Sequence, residues 1–231
     1  MCAEQVRKLI VAIDGPAGAG KSTVAKRLAK ELGYTYMDTG AMYRAFAWKV
    51  MKEGIDLSDE KKLERVLKDT SIELLEQDGR SSVLVNGVDV TDRIRTPELS
   101  QLASRVSTSK IVRERMVELQ RDMGSHGGVV AEGRDIGTVV FPNAEVKVFL
   151  DASSGERARR RFEELRSQGR EVTVEETLEE MEQRDRRDRE RDVAPLRKAE
   201  DAVVIDSTQA GVDGVVGRIM QEIKRKQSAI Q

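Results

Sequence analysis

The sequence predicts an α/β fold with a parallel sheet, and the order of its apolar segments supports that prediction. Apolar runs of strand length alternate with segments whose apolar residues recur at helical spacing. The first run, residues 9–14, is apolar up to its final aspartate, which is typical of a strand covered on both faces. At 231 residues the chain can bury a sizeable core, and we expect one unit over about 1–231.

The first elements follow each other directly. A helix is predicted over 21–33, because Val24, Leu28 and Leu32 recur at helical spacing before a glycine. A second strand at 34–37 and a second helix after it complete a β-α-β-α unit.

The next segment departs from this alternation. Three short strands are predicted at 72–76, 82–85 and 88–90. The dipeptides Asp78-Gly79 and Asn86-Gly87 are typical hairpin turns between them. We therefore expect an inserted subdomain over about 58–124, with its β meander at about 71–91 and helical segments over 97–123.

The rest of the chain returns to the α/β pattern. Further core strands are predicted at 127–131, 146–150 and 202–205, and a final helix at 212–224. Between the last two strands, residues 155–192 are highly charged and predict two helices separated by Gln168-Gly169-Arg170. The expected core comprises about 5–57, 125–154 and 193–225.

Composition narrows the classes of protein. Charged residues make up 35% of the chain, but 40 Lys+Arg against 41 Asp+Glu leave a net charge of −1. This balance disfavours a uniformly basic surface that coats nucleic acid. The single cysteine, Cys2, excludes an intramolecular disulfide framework and fits a reducing compartment. No apolar run approaches the roughly twenty residues of a membrane span, and no signal-peptide pattern opens the chain. We expect a cytoplasmic protein with no membrane or nucleic-acid partner.

A phosphate-binding loop is the most specific motif. Residues 15–22 match G-x-x-x-x-G-K-[ST] between a predicted strand and a predicted helix. The backbone N–H groups of such a loop and the helix N-terminus bind phosphate. Lys21 is expected to reach the β/γ-phosphates, Ser22 to bind Mg²⁺ and Thr23 to hydrogen-bond the α-phosphate. The expected triphosphate-binding residues are Gly15, Pro16, Ala17, Gly18, Ala19, Gly20, Lys21, Ser22 and Thr23. The alternative is a glycine-rich turn that binds nothing, and the length and context of the match disfavour it.

Two further polar segments follow predicted strands at the sheet edge where α/β proteins bind ligands. Asp38, Thr39 and Arg44 supply a hydroxyl and a guanidinium that could hold a second phosphate; the alternative is a helix N-cap at Thr39 with Arg44 in solvent. The pair Arg134-Asp135, flanked by glycines, suggests tight backbone at a ligand, with a structural salt bridge as the alternative.

The charged helix before residue 192 presents an unusual inward face. Leu178 and Met181 mark its buried side, and steps of three and four residues bring Arg184, Asp188 and Arg191 to the same side. Buried charge is costly, so these side chains should meet charged partners or a polyanionic ligand. Other faces carry arginines that we expect in solvent, namely Arg186, Arg187 and Arg189. The alternative places the whole helix at the surface.

A triphosphate loop and converging arginines together indicate phosphoryl transfer between two phosphorylated molecules. Arginine binds phosphate oxygens bidentately and neutralises charge on the transferring group. An acceptor phosphate is already a nucleophile, so no general base is needed. The only histidine, His126, stands in a Gly/Ser loop and is expected to be an exposed loop residue.

Six segments, in order and over nearly the whole chain, resemble the bacterial cytidylate kinase family. They are 15–23, 38–44, 133–142, 149–154, 184–191 with 194–196, and 205–208. The resemblance implies a P-loop nucleoside monophosphate kinase fold with a five-stranded parallel sheet flanked by helices, an antiparallel β insert in the nucleotide-binding region, and a helical lid. It also implies MgATP-dependent phosphorylation of CMP and dCMP to CDP and dCDP.

The resemblance further implies residue roles. The implied catalytic residues are Lys21, Arg134, Arg184 and Arg191. The implied substrate-binding residues are Asp38, Thr39, Arg44, Ser104, Arg113, Arg134, Asp135, Arg184, Asp188 and Arg191. Of these, the ones implied to hold the acceptor phosphate are Arg44, Arg113 and Arg134. The ones implied to contact cytosine or the sugar are Ser104, Arg184 and Asp188.

A lid over about 155–172, leading into the arginine-rich helix to 192, is implied to bring Arg160, and with it Arg157 and Arg161, towards ATP. Position 39 carries threonine where the family commonly has serine, which keeps the hydroxyl. We expect a monomer. Other kinases, acting on UMP, dTMP or another small molecule, remain open, as does a P-loop regulatory NTPase, although no N-K-x-D guanine-recognition sequence is present.

Overall fold

Strands and helices alternate along most of the chain, and the computed structural model describes residues 8–77 and 80–230. The strands are β1 (Ile10–Asp14), β2 (Thr35–Asp38), β3 (Ile72–Gln77), β4 (Arg80–Val85), β5 (Val88–Asp89), β6 (Val129–Gly133), β7 (Val146–Asp151) and β8 (Val203–Asp206). The α-helices are α1 (Lys21–Leu32), α2 (Thr39–Lys52), α3 (Glu60–Lys68), α4 (Pro97–Val106), α5 (Lys110–Gly124), α6 (Ser154–Ser167), α7 (Val174–Glu190) and α8 (Val212–Ile230).

The central sheet has five parallel strands in the order β2-β6-β1-β7-β8, which confirms the predicted fold class. Helices cover both faces, since Val11 and Ile13 of β1 pack with α1 and α8, whereas Ala12 packs on the opposite side with Met37 and Ile136. In this register Asp14 lies opposite Gly133, so the polar residues that follow β1, β2 and β6 meet at one edge.

The predicted meander is a second, antiparallel sheet in the order β3-β4-β5. Asn86 (φ 49°) and Gly87 (φ 75°) form its second turn, which needs two left-handed residues, as the sequence predicts. The other predicted turn, Asp78-Gly79, lies outside the described residues. This sheet shares an apolar core with α2 to α5, to which Phe46 and Met116 belong.

Three local features differ from the sequence prediction. The final helix continues to Ile230 instead of ending at 224. Strand β6 begins at Val129 and not at residue 127, because Gly127 (φ 65°) and Gly128 (φ 68°) are left-handed. A π-helical segment, Ile136–Val140, follows β6 where no element was predicted. None of the helices in the described ranges is long and apolar enough to cross a membrane.

Candidate active site

The phosphate loop connects β1 to α1 and packs tightly against neighbouring backbone. A side chain at Gly15 (φ 152°) would collide with the Leu150 carbonyl oxygen. A Cβ at Gly18 (φ 73°) would lie 2.7 Å from Met181 Cε of α7. No side chain of the described residues caps the first turn of α1, so its N–H groups face the loop as a phosphate site requires.

Lys21 is buried at the start of α1, and its ammonium donates a hydrogen bond to the Pro16 carbonyl at 2.7 Å. Burial lowers the pKa of Lys21 to about 7, and repulsion from Arg134 and then Arg184 adds to this effect against the opposing attraction of Glu132. Because burial and neighbouring cations disfavour the charged form of Lys21, an approaching anion such as a phosphate would stabilise it strongly. This agrees with the phosphate-binding role expected from the sequence.

Two carboxylates, those of Glu132 and Asp38, lie near Ser22 at the same edge of the sheet. The Glu132 carboxylate at the end of β6 accepts a hydrogen bond from the Tyr36 hydroxyl at 2.6 Å. Burial raises the pKa of Glu132 and the nearby Asp38 raises it further, whereas a hydrogen bond from Ser22 lowers it. Thr39 is anchored beside them, because its hydroxyl donates to the Glu132 carbonyl at 2.7 Å.

Arg134 and Arg184 come from different elements and lie close to Lys21. Arg134 Nε donates to Asp188 Oδ2 at 2.8 Å. Arg184, on α7, has a buried Nε with no hydrogen-bond partner in the described part of the chain. Burial, followed by repulsion from Arg134, lowers the pKa of Arg184 to about 10. Lys21, Arg134 and Arg184 therefore form one cationic group, the phosphate pole.

A second group lies deeper, between α2, α4, α5 and the end of α7. Arg113 is only 2% exposed, forms an ion pair with Asp135 and lies 5.7 Å from the centre of the Tyr43 ring. Arg191 Nη2 also pairs with Asp135, at 3.3 Å. Several buried polar atoms here have no partner among the described residues, namely Tyr43 Oη, Ser104 Oγ and the Nε and Nη1 of Arg113. We call the residues Tyr43, Ser104, Arg113, Asp135 and Arg191 the inner pole.

Asp188 connects the two poles. Burial opposes its ionisation, but Arg134 and Arg184 lower its pKa overall, and Arg191 of the inner pole contributes in the same direction. Arg44 lies near the phosphate pole, where its charge acts on Arg184, and it pairs with Asp38 at 3.2 Å. The structure thus links the charged acceptor-side residues expected from the sequence. Ser104 lies on α4, and Arg191 reaches the end of that helix at Ser107 Oγ, 3.5 Å away.

The three arginines of α6 that the resemblance implied to approach ATP take different positions. Arg160 donates to the Ser207 hydroxyl at 3.1 Å and to the Ser207 carbonyl at 2.6 Å, and its Nη1 lies 3.7 Å from where a Cβ of Gly20 would stand. It therefore lies beside the phosphate loop. Arg157 is buried beneath the loop, and Arg161 pairs with Glu164 on the same helix at 2.7 Å.

Two alternatives from the sequence are resolved by local contacts. Asp38, not Thr39, caps α2, because its carboxylate accepts from the Ala41 N–H at 2.8 Å. Arg186 and Arg189 lie in solvent as expected. Arg187 was expected there too, but it is half-buried and donates a hydrogen bond to Gln101 of α4, because α7 packs against α4 along that face.

Several polar residues at the site were not singled out from the sequence. The Asp14 carboxylate accepts from the N–H groups of Ile136 and Gly137, both at 2.7 Å, and so fixes the turn that carries Asp135. Glu132 is the last residue but one of β6, and Asp14 is the last residue of β1. A carboxylate directly after an apolar run was the available signal for both, whereas Tyr43 and Asp185 gave no such signal.

Comparison with known proteins agrees with this geometry. The family model for cytidylate kinase matches residues 11–225. The cytidylate kinase of Syntrophotalea carbinolica is 52% identical over 221 residues, covering 96% of this chain and 94% of that protein. That of Bacillus subtilis strain 168 is 51% identical over 220 residues, covering 95% and 98%. An uncharacterised Eubacterium ventriosum protein of known structure shares the fold alone, with a TM-score of 0.52 and 15% identity, covering 94% of this chain and 99% of that one. The chain therefore belongs to the cytidylate kinase family.

Proposed function

We propose that the protein transfers the γ-phosphate of ATP to CMP and dCMP, forming CDP and dCDP. One observation carries the proposal: two charged poles, one beside the phosphate loop and one deeper in the molecule, are joined through Asp188. A nucleoside monophosphate matches these two poles, since its anionic phosphate suits the phosphate pole and the polar edge of its base suits the inner pole. Family membership supports the same reaction.

Transfer requires charge neutralisation more than proton transfer. A phosphate oxygen of the acceptor attacks the γ-phosphorus of ATP in line with the departing oxygen of ADP. Lys21 holds the donor phosphates, and the half-buried Arg134 and Arg184, whose charges act on Lys21 and on each other, stabilise the charge on the transferring group. Arg44 is placed to hold the acceptor phosphate from the side of β2.

The inner pole is proposed to recognise cytosine. Cytosine presents acceptors at its carbonyl and ring nitrogen and a donor at its amine. Arg113 supplies donors, Asp135 an acceptor and Ser104 either, and the buried unpaired atoms of Arg113 and Ser104 suit that edge. We therefore assign Arg113 to the base, whereas the resemblance implied a contact with the acceptor phosphate. Arg191 positions Asp135. We propose that Asp188, which lies between the two poles, contacts the sugar.

The residues around Ser22 fit a magnesium ion. Mg²⁺ prefers oxygen donors and is commonly held by one or two carboxylates together with substrate phosphates. The Ser22 hydroxyl, with Glu132 and Asp38 beside it, provides this donor set. When bound, the ion would neutralise charge on the donor phosphates.

The remaining proposals concern organisation. We propose that residues of about 155–172 act as a lid in which Arg160 faces ATP. The core that this lid covers is proposed to comprise about 5–57, 125–154 and 193–225. The nucleotide-binding insert is proposed to comprise about 58–124. The position of Arg160 beside Gly20 supports this arrangement. We propose a cytoplasmic monomer whose partners are ATP and CMP or dCMP.

Product identification tests the reaction. The protein is incubated with ATP, Mg²⁺ and CMP, and nucleotides are separated by anion-exchange chromatography. We expect CDP and ADP in equal amounts, and neither with Lys21→Met. ADP formed without CDP would instead indicate a hydrolytic or regulatory NTPase.

A further inference from the structure

A buried ion pair forms hydrogen bonds with the backbone in the middle of the phosphate loop. Arg157 of α6 and Asp185 of α7 are 7% and 2% exposed, and Arg157 Nη1 lies 2.5 Å from Asp185 Oδ2. Asp185 Oδ1 accepts the Ala17 N–H at 3.1 Å, and Arg157 Nη1 donates to the Ala17 carbonyl at 2.8 Å. Both backbone groups of one loop residue are thus held by side chains from two helices.

The same helix α7 also reaches the acceptor side. Met181 packs on Gly18, one turn before Asp185. Arg184 and Asp188, in contrast, are turned towards the other charged residues of the site. Helix α7 therefore contacts the donor loop with one set of side chains and the acceptor site with the next set.

We propose that the Arg157–Asp185 pair sets the register between the phosphate loop and α7, so that donor and acceptor phosphates are aligned for transfer. Both are positioning residues, because they contact the loop backbone and no reacting atom. This inference rests on the proposed kinase function. Alignment matters because a misplacement of about 1 Å costs a phosphoryl transfer on the order of 10²-fold in rate.

The geometry gives the pair a role that an apolar contact cannot fill. A pair of hydrophobic side chains can replace a buried ion pair without loss of stability. It cannot, however, accept from the Ala17 N–H and donate to the Ala17 carbonyl. Because loss of these two hydrogen bonds to the half-buried Ala17 also lowers stability, the melting temperature is measured beside kcat to separate stability from alignment.

Two variants make this separation. The double variant Arg157→Met with Asp185→Leu removes both charges and keeps the volume. Arg157→Lys keeps the charge, but lysine has a methylene where arginine has Nε, so the variant loses the planar guanidinium and the hydrogen bond from Arg157 Nε to the Ala152 carbonyl at 3.2 Å. The matched control is Lys68→Gln with Glu64→Gln, an exposed ion pair at 2.7 Å on helix α3, which shares no partner with the residues of the site.

The measurements are kcat with CMP, the melting temperature, and affinities for ADP, for CMP and for a bisubstrate analogue in which adenosine and cytidine are joined through a phosphate chain. A linked ligand gains affinity only if both sites are correctly spaced. In both variants we expect kcat and analogue affinity to fall at least about tenfold, with ADP and CMP each bound within about twofold of wild type.

The control should match wild type in every measurement. Wild-type kcat or analogue affinity in either folded variant would overturn the inference. If the double variant does not fold, Arg157→Lys decides alone. Failure of the wild-type protein to phosphorylate CMP would instead contradict the proposed function.

Discussion

Replacing Arg134 by alanine tests the phosphate pole most severely. Its guanidinium is paired with Asp188, with side chains 16% and 6% exposed, and it lies near Lys21 and Arg184. Removing it deletes a charge placed for the transferring phosphoryl group and leaves Asp188 with less compensation. Both kcat with CMP and the free energy of unfolding should therefore fall, by different amounts.

The magnitudes follow from these contacts. A buried donor to charge that develops in the transition state contributes about 2.7–4 kcal/mol, so kcat with CMP should fall on the order of 10²–10³-fold. Removing one partner of a buried ion pair costs about 3–5 kcal/mol of unfolding free energy. Arg184 remains beside Asp188, so we expect the lower part of that range. The affinity for ATP should change by less than about threefold, because Lys21 and the loop are intact.

Steady-state kinetics with varied CMP and varied ATP, together with urea unfolding, measure these quantities. Arg189→Ala is the matched control, because Arg189 is an exposed arginine on α7, and it should leave kcat unchanged. A folded Arg134→Ala protein with kcat near the wild-type value would refute the assignment.

Three further predictions concern the inner pole, the loop lysine and two glycines. Arg113→Met and Ser104→Ala should each raise the KM for CMP about tenfold, since one well-placed hydrogen bond is worth about 1–1.5 kcal/mol, while the KM for ATP stays constant; an equal rise for ATP would contradict a base-recognition role. Burial lowers the pKa of Lys21 to about 7, so the free lysine is mostly neutral at about pH 8 and charged at about pH 6. Calorimetry in buffers of different ionisation enthalpy should show proton uptake on ATP binding at the higher pH only, and equal uptake at both values would argue against it. Gly15→Ala should prevent stable folding, because its Cβ collides with the Leu150 carbonyl. Gly217→Ala, exposed within α8 with nothing within 4 Å of its Cβ, should add about 0.5–1 kcal/mol in urea unfolding; no gain would contradict this reasoning.

Periodicity and motif spacing predicted much of the site. The steps from Met181 to Arg184 and Asp188 correctly identified charges on the inward side of α7, because helical geometry is local. The phosphate loop was also predictable, since strand, glycines and helix are adjacent in sequence. The small antiparallel sheet followed in the same way, from the two turn dipeptides between its predicted strands.

Contacts between distant segments were harder to predict. Asp185 is buried because the phosphate loop, 168 residues earlier, presents the Ala17 N–H to it. From the sequence alone, Asp185 could not be distinguished from the solvated charges beside it. Similarly, Arg187 is half-buried only because α4 places Gln101 against it. The resemblance implied a phosphate contact for Arg113, and its pairing with Asp135 beside Tyr43, which no sequence pattern indicated, is the reason that we propose a contact with the base.

Cytosine is proposed to be selected by the inner pole, for phosphorylation at the phosphate pole. A coupled ADP-release assay over CMP, dCMP, UMP, dTMP and AMP, with ATP and Mg²⁺, measures this directly as kcat/KM for each acceptor. We expect CMP and dCMP to exceed every other acceptor, because Arg113, Ser104 and Asp135 match the edge of cytosine. A higher kcat/KM for UMP or dTMP, or ADP release that does not depend on an acceptor, would contradict it.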